Sequence, residues 1–469
     1  MTPAHYAHRL RQLVLTLILV LTFEGIVRKA APPGLGVPLF LLKDFLVLVM
    51  GYYVILMPPA PAVTFLWNGY KTLVVLFIPL FICTAWNDPL LAVFGTKQYL
   101  LFPMVGFGTF YAFQFARREE ILWFFRWVAL LIIPTALLAL LQLRLPHDHW
   151  LNMSVNGESL EGFSAAGQLR VSSTFSFVAQ YCAFLNAEAF MIMIALQEWK
   201  KQLMFWKILL CSLIPFLVIS SFVTGSRGAV AGNTAMVLLA GGLALSKFQI
   251  RNVVQVCVII AMLYIMALLV DHYSPDTTAA YSAREEGHLL GFSDEVRERV
   301  WGNFMSMAED KSLTTFWGNG LGVMSNGSDT FSKYAAQWRS QIWTESDGRT
   351  IFFEGGWYLA FIWYGFRFYV IFITTRRYVK EVTDAFAVPA AFVQAFLIIT
   401  GLLGTLSTQP PIAIWWWMSV GLSVVFWWKC TGPPEPEIKV ELPPPPSAPR
   451  KLKRGRSLYA DSLHGRKQP

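Results

Sequence analysis

Apolar residues come in long unbroken runs along this chain. They do not follow the three-to-four spacing of a half-buried helix or the alternation of a half-buried strand. Runs lie at about 12–29, 36–57, 71–86, 97–115, 121–143, 176–196, 206–224, 229–246, 252–270, 352–374, 388–407 and 412–428. Crossing a bilayer takes a helix of roughly 18 apolar residues or more. Inside hydrocarbon every backbone N–H and C=O must bond within its own segment, so the runs become helices. The pattern therefore predicts an all-α, polytopic membrane bundle of about twelve spans. The first run continues into Phe23-Glu-Gly25 without a small-residue cleavage site and reads as a span, not a leader.

The polar stretches divide the rest. Residues 1–270 carry the first nine spans, 271–351 form a polar loop, 352–430 carry three more spans, and 431–469 form a tail. A connection as long as 271–350 is too long to be idle, so it is expected to fold over the helices. Within it, 293–307 has the form of an amphipathic helix, with Ser293 as N-cap and Val296, Val300, Phe304 and Met307 on one face. Trp317-Gly-Asn-Gly-Leu-Gly322 has no strand before it and suits a tight turn better than a phosphate loop.

Basic residues set the orientation. Arg9 and Arg11, Arg117 and Arg118, Lys200, Lys201 and Lys207, Lys247 and Arg251, and Arg376, Arg377 and Lys380 fall in alternate short connections. The tail joins them, because 431–469 holds eight Lys/Arg against four Asp/Glu. Both termini are then cytoplasmic, and 144–173 and 271–350 face outward. Pro443 to Pro446 and Arg450-Lys-Leu-Lys-Arg-Gly-Arg456 read as a disordered segment that touches anionic membrane lipid.

Composition agrees with the pattern. Of 469 residues, 55% are hydrophobic and only 14% charged, far from a soluble domain. The mean hydropathy is +0.48. The net charge of +9 belongs to a membrane surface, and no nucleic-acid partner is expected. The five cysteines lie in or beside apolar runs, so neither disulfides nor a metal site nor any cofactor is expected.

Candidate chemistry sits where charge meets the outer surface. Val223-Thr-Gly-Ser-Arg-Gly-Ala229 joins two apolar runs and places Arg227 at their mouth. An arginine there is costly unless it faces water or an anion. It either snorkels to the headgroups or binds an anionic group through its planar fork. Arg28, Lys43, Lys97, Arg170, Arg297, Arg299 and Arg349 gather on the same side. Some have acidic neighbours: Glu24 stands four before Arg28, and Lys43 adjoins Asp44. Arg170, Lys97 and Arg227 have none near in sequence, and they make the best case for a diphosphate pocket. Glu345 and Asp347 cluster with Arg349 just before the tenth span. Burial there would suit a carboxylate to act as a base, although acidic residues also favour helix starts.

These motifs carry a resemblance. Thr224-Gly-Ser-Arg-Gly-Ala229 at a helix junction, Arg297 or Arg299 shortly before Trp301, and the later glycine-rich turn resemble the O-antigen ligase/polymerase family. Phe23-Glu-Gly-Ile-Val-Arg-Lys29 with Lys43 and Asp44 looks like a subgroup of exopolysaccharide clusters, and Arg170-Val-Ser-Ser-Thr-Phe175 fits as well. The likeness covers roughly residues 12–428. It implies a GT-C-like, inverting, metal-independent glycosyltransferase acting on polyprenyl-diphosphate-linked oligosaccharide at the outer face of the bacterial inner membrane. Arg227 and Arg297 or Arg299 would hold the donor diphosphate, with Arg170 beside them. Ligases of the family carry a histidine before the tenth span, and this chain has none between His288 and His464. Glu345 or Asp347 would serve as the base instead, with Arg349 on phosphate. A polysaccharide polymerase is thus favoured over a ligase. A lipid-linked sugar transporter is disfavoured because no internal repeat of the 223–229 stretch is present. Other assembly proteins could meet the proline-rich tail, and a scaffold role would depend on it.

Overall fold

The computed structural model describes residues 2–32, 34–155, 157, 170–197, 202–247, 316–339, 346–383 and 386–432, with scattered single positions between 254 and 272. Among the described residues the chain is helical, with short 3-10 turns and no strand. Its helices are α1 (Pro3–Ala30), α2 (Gly36–Ile55), α3 (Thr64–Asn87), α4 (Pro89–Leu100), α5 (Pro103–Phe113), α6 (Arg118–Ala129) and α7 (Ile132–Arg144). Then come α8 (Val178–Ala195), α9 (Met204–Val223), α10 (Arg227–Leu245), the short α11 (Lys333–Arg339), α12 (Asp347–Glu381), α13 (Ala387–Leu403) and α14 (Pro410–Thr431).

Ten helical segments among the described residues are long and apolar enough to cross a membrane, and α13 is a shorter apolar helix beside them. The chain is thus a multi-pass helical membrane bundle. The predicted span at 252–270 is described only at single positions, which are helical. Two expected spans are each built from two helices, α4 with α5 and α6 with α7. Proline explains both breaks. Pro103 opens α5 at a position where its missing N–H costs nothing, and Pro134 cannot bond the carbonyl of Leu130.

α5 and α14 form the centre. Every residue of α5 is buried, and α14 packs along it. Around them α1 packs on α2 and α5, α6 on α8, α7 on α9, and α10 on α13. Phe45, Leu48, Tyr52, Ile55, Phe361 and Phe372 point outward and are exposed, as lipid-facing side chains are.

Polar contacts mark two ends. At one end Arg11 pairs with Glu120 at 2.8 Å, Lys247 Nζ donates to the Val379 carbonyl at 2.5 Å, and Arg377 donates to the Ala62 carbonyl at 2.8 Å. At the other lie Arg28, Lys29, Lys97, Arg170 and Arg227, carried by the ends of α1, α4 and α10 and by the connection before α8.

α12 corrects the expectation of a plain tenth span at 352–374. Gly356 inside it has φ 60° and ψ −155°, a conformation open to glycine and strained for other residues. Two helical legs therefore meet at Gly356. The turn foreseen at 317–322 is present, with positive φ at Gly318, Gly320 and Gly322. It docks on α3 and α12: the Leu321 amide donates to Thr84 Oγ1 at 2.9 Å, and the Met324 amide donates to Glu354 Oε1 at 3.0 Å. Tyr99 of α4 donates to the other Glu354 oxygen at 2.7 Å. The segment 293–307 and the tail 433–469 lie outside the described residues.

Candidate functional site

The site is assembled by an extended strap, residues 170–177, that runs across three helices before α8 begins. Its backbone is irregular, with φ 52° at Ser173. Buried irregular backbone must find its hydrogen bonds elsewhere, and here Gln142 of α7 supplies them. Its side-chain oxygen accepts from the Ser173 amide at 2.8 Å, and its amide nitrogen donates to the Ser173 carbonyl at 3.3 Å and the Leu151 carbonyl at 2.8 Å. The Ser173 hydroxyl donates to the Thr135 carbonyl at 2.6 Å. The Ile26 amide of α1 donates to the Thr174 carbonyl at 2.8 Å. Phe175 stacks on Tyr181 and packs against Phe184 of α8.

Cations meet the strap at both ends. At its start, the aliphatic stem of Arg170 lies 3.6 Å from where a Cβ on Gly225 would stand. Gly225 has φ 57° and belongs to the turn between α9 and α10. In that turn Thr224 Oγ1 accepts from the Ser226 amide at 3.1 Å, and the Ala229 amide donates to the Ser226 carbonyl at 3.1 Å. Arg227 opens α10 and is only 6% exposed. The Cys182 thiol of α8 faces Thr224, Ser226 and Arg170. Two of the three most telling cations, Arg170 and Arg227, thus meet at one turn, at the positive end of a helix dipole.

Toward its other end the strap meets α1. Lys29 Nζ donates to Ser172 Oγ at 3.2 Å and to the Leu151 carbonyl at 2.9 Å. Arg28 Nη1 donates to Ser176 Oγ at 3.4 Å and to Glu24 Oε1 at 3.3 Å, the intrahelical pair expected from sequence. Lys43 is fully buried, and its nearest carboxylate is Glu24 at 3.0 Å rather than its neighbour Asp44. Asp44 instead pairs with Lys97 of α4 at 2.5 Å. Lys97 has no acidic neighbour in sequence, and a helix distant in sequence supplies its partner. Cations outnumber carboxylates across this group, with Arg28, Lys43 and Lys97 on Glu24 and Asp44. Lys43 and Lys97 serve that network, and Arg170 and Arg227 stand at the separate turn.

At the mouth of α12, Asp347 stands in the first turn, where acidic residues favour a helix start. Asp347 is buried, and one of its oxygens accepts from Arg367 Nη2 at 2.5 Å. The other accepts from the Ser407 amide at 2.8 Å and from the Ser407 hydroxyl. Three hydrogen bonds from Arg367 and Ser407 fix the orientation of this carboxylate. Arg349 is exposed in the first turn of α12. Arg297, Arg299 and Glu345 lie outside the described residues. Sequence reasoning missed Arg367, which is 1% exposed. A lone arginine inside an apolar span was the available signal, since such residues need a dedicated partner.

The mouth of α12 connects to the strap. Ser407 and Gln409 belong to the linker between α13 and α14, and Gln180 at the start of α8 donates to Gln409 Oε1 at 3.2 Å. The chain matches no protein-family model, no curated protein and no solved structure.

Proposed function

We propose that this chain is a polysaccharide polymerase of the O-antigen ligase/polymerase type, a membrane glycosyltransferase that joins polyprenyl-diphosphate-linked glycan repeats. The observation that carries the reading is the meeting of Arg170 with the Thr224-to-Arg227 turn at the start of α10. Two guanidinium groups and a helix N-terminus at one mouth suit a diphosphate, because paired N–H donors match phosphate oxygens.

The acceptor hydroxyl attacks the anomeric carbon of the donor from the face opposite the diphosphate. The new C–O bond forms as the bond to the diphosphate oxygen breaks, and the configuration inverts. Negative charge grows on the departing diphosphate, where Arg170 and Arg227 stabilise it more than they stabilise the ground state. The hydroxyl proton goes to a carboxylate. Asp347 is engaged by Arg367 and Ser407, so Glu345 takes the base role in this scheme. Arg349, and Arg297 or Arg299, add phosphate contacts. The arginine end faces outward and both termini face the cytoplasm of the bacterial inner membrane.

Cells whose only copy of the chain carries Arg227→Ala should lose polymer, with turnover down about 100-fold or more, the usual effect of removing a preorganised charge-stabilising donor. Arg227→Lys should also fail, because a point charge lacks the paired geometry. Normal polymer from Arg227→Ala at normal membrane levels would overturn the proposal.

A further inference from the structure

Asp347 and Arg367 stand twenty residues apart within α12. On a straight helix that separation is about 30 Å, yet their side chains meet at 2.5 Å. The chain reverses at Gly356, so that 347–355 lies back against the following leg of α12. Both side chains are buried, and neither can trade its partner for water. Arg367 lies over the rings of Trp363 and Tyr364, each at 5.1 Å, and reaches the Gly401 carbonyl at 3.5 Å. Ser407 closes the other side of the Asp347 carboxylate with its amide and hydroxyl. Three distant pieces of chain, namely the two legs of α12 and the linker from α13 to α14, are therefore tied at one carboxylate. Arg349 stands two residues beyond that knot and is exposed. The same linker touches the start of α8, immediately after the strap, through Gln409 and Gln180.

We propose that Asp347 and Arg367 are positioning residues: their ion pair, closed by Ser407, holds the first leg of α12 so that the Arg349 guanidinium is presented at the end of the bundle where Arg170 and Arg227 meet. The substrate-facing part of this inference rests on the glycosyl-transfer reading. The geometry of the knot does not. Asp347 acts through the leg that it anchors, and it neither takes a proton nor touches the glycan.

The experiment removes the pair whole. An apolar replacement of a buried ion pair often keeps or raises stability, whereas deleting one partner strands a buried charge. In nanodiscs, the double variant Asp347→Leu with Arg367→Met should melt near the wild-type temperature. Its kcat with a polyprenyl-diphosphate-linked glycan should nonetheless fall by about tenfold or more, the scale of a displaced binding group, with KM for the donor little changed. A double variant that recovers both stability and kcat would show the pair to be only a strut and would overturn the proposal. A second measurement stands if the double variant fails to fold. Labelling of Arg349→Cys by a membrane-impermeant maleimide should change severalfold in rate when Asp347→Asn is added. An unchanged rate would overturn the proposal by itself. If the wild-type protein makes no polymer from such a glycan, the functional reading falls, and the labelling decides the positioning alone.

Discussion

Gly25 shows how much the site depends on single positions. A Cβ placed there would stand 2.1 Å from the Phe175 carbonyl carbon and 2.2 Å from the Ser176 nitrogen, both backbone atoms of the strap. Backbone cannot swing aside as a flexible side chain can. Gly25→Ala should therefore lift the strap from α1, costing about 1–3 kcal/mol as overpacking does. It should lower the melting temperature of the purified protein and abolish polymer, although no charged group has changed. A variant with wild-type melting and polymer would show that the strap is not clamped there. The cations follow the same logic of partners. Fully buried Lys43 needs Glu24, because a buried charge stripped of its partner destabilises by about 3–5 kcal/mol. Arg28, Lys43 and Lys97 are legible as basic residues in the sequence, but their partners sit on other helices or other turns. Only Glu24 with Arg28 could be paired by spacing.

At the scale of elements, the polar loop is fastened where α3 meets α4. Asp88 caps α4 by accepting from the Leu91 amide at 3.0 Å, and it accepts from Ser332 Oγ at 2.6 Å. Its partial burial works to raise the carboxyl pKa, but the Ser332 hydroxyl and the Leu91 and Leu90 amides outweigh that effect and hold it below the usual value. A depressed carboxylate contributes stability above its unfolded pKa of about 4 and loses that contribution as pH falls through the lower folded value. Protection of the Leu91 and Ala335 amides from hydrogen exchange should hold from neutral to mildly acidic pH and fall only below about pH 4. Asp88→Ala should produce the same loss at neutral pH, worth about 1 kcal/mol for a helix cap. Unchanged protection in that variant would mean that the cap is not what secures the loop. The Gly355-Gly356 pair could be read as a weak point in the tenth apolar run. The reversal itself could not, because nothing local tells a kink from a fold-back.

The whole molecule has two ends that can be told apart by reagent access. Cysteine in place of exposed Asn326 on the docked loop should react with an impermeant thiol reagent in intact cells. Cysteine in place of Arg117, at the opposite end beside Glu120, should react only after the membrane is opened. The reverse pattern would invert the orientation on which the proposed chemistry depends. Reaction of both in intact cells would break the assignment of ends.

From sequence alone came the class of the molecule and most of its spans, because run length against bilayer thickness is a local property that each segment carries by itself. The Thr224-to-Ala229 turn and Arg227 at its mouth were legible for the same reason, as charge and glycine between two apolar runs. Tertiary structure decided which cations are neutralised and which stand together. Lys97 found Asp44, Arg170 came to rest on Gly225, and Arg367 reached back twenty residues to Asp347. An ion pair across helices is fixed by how distant segments pack. In a bundle where nearly every face is apolar, the sequence holds no periodic mark of which face meets which neighbour.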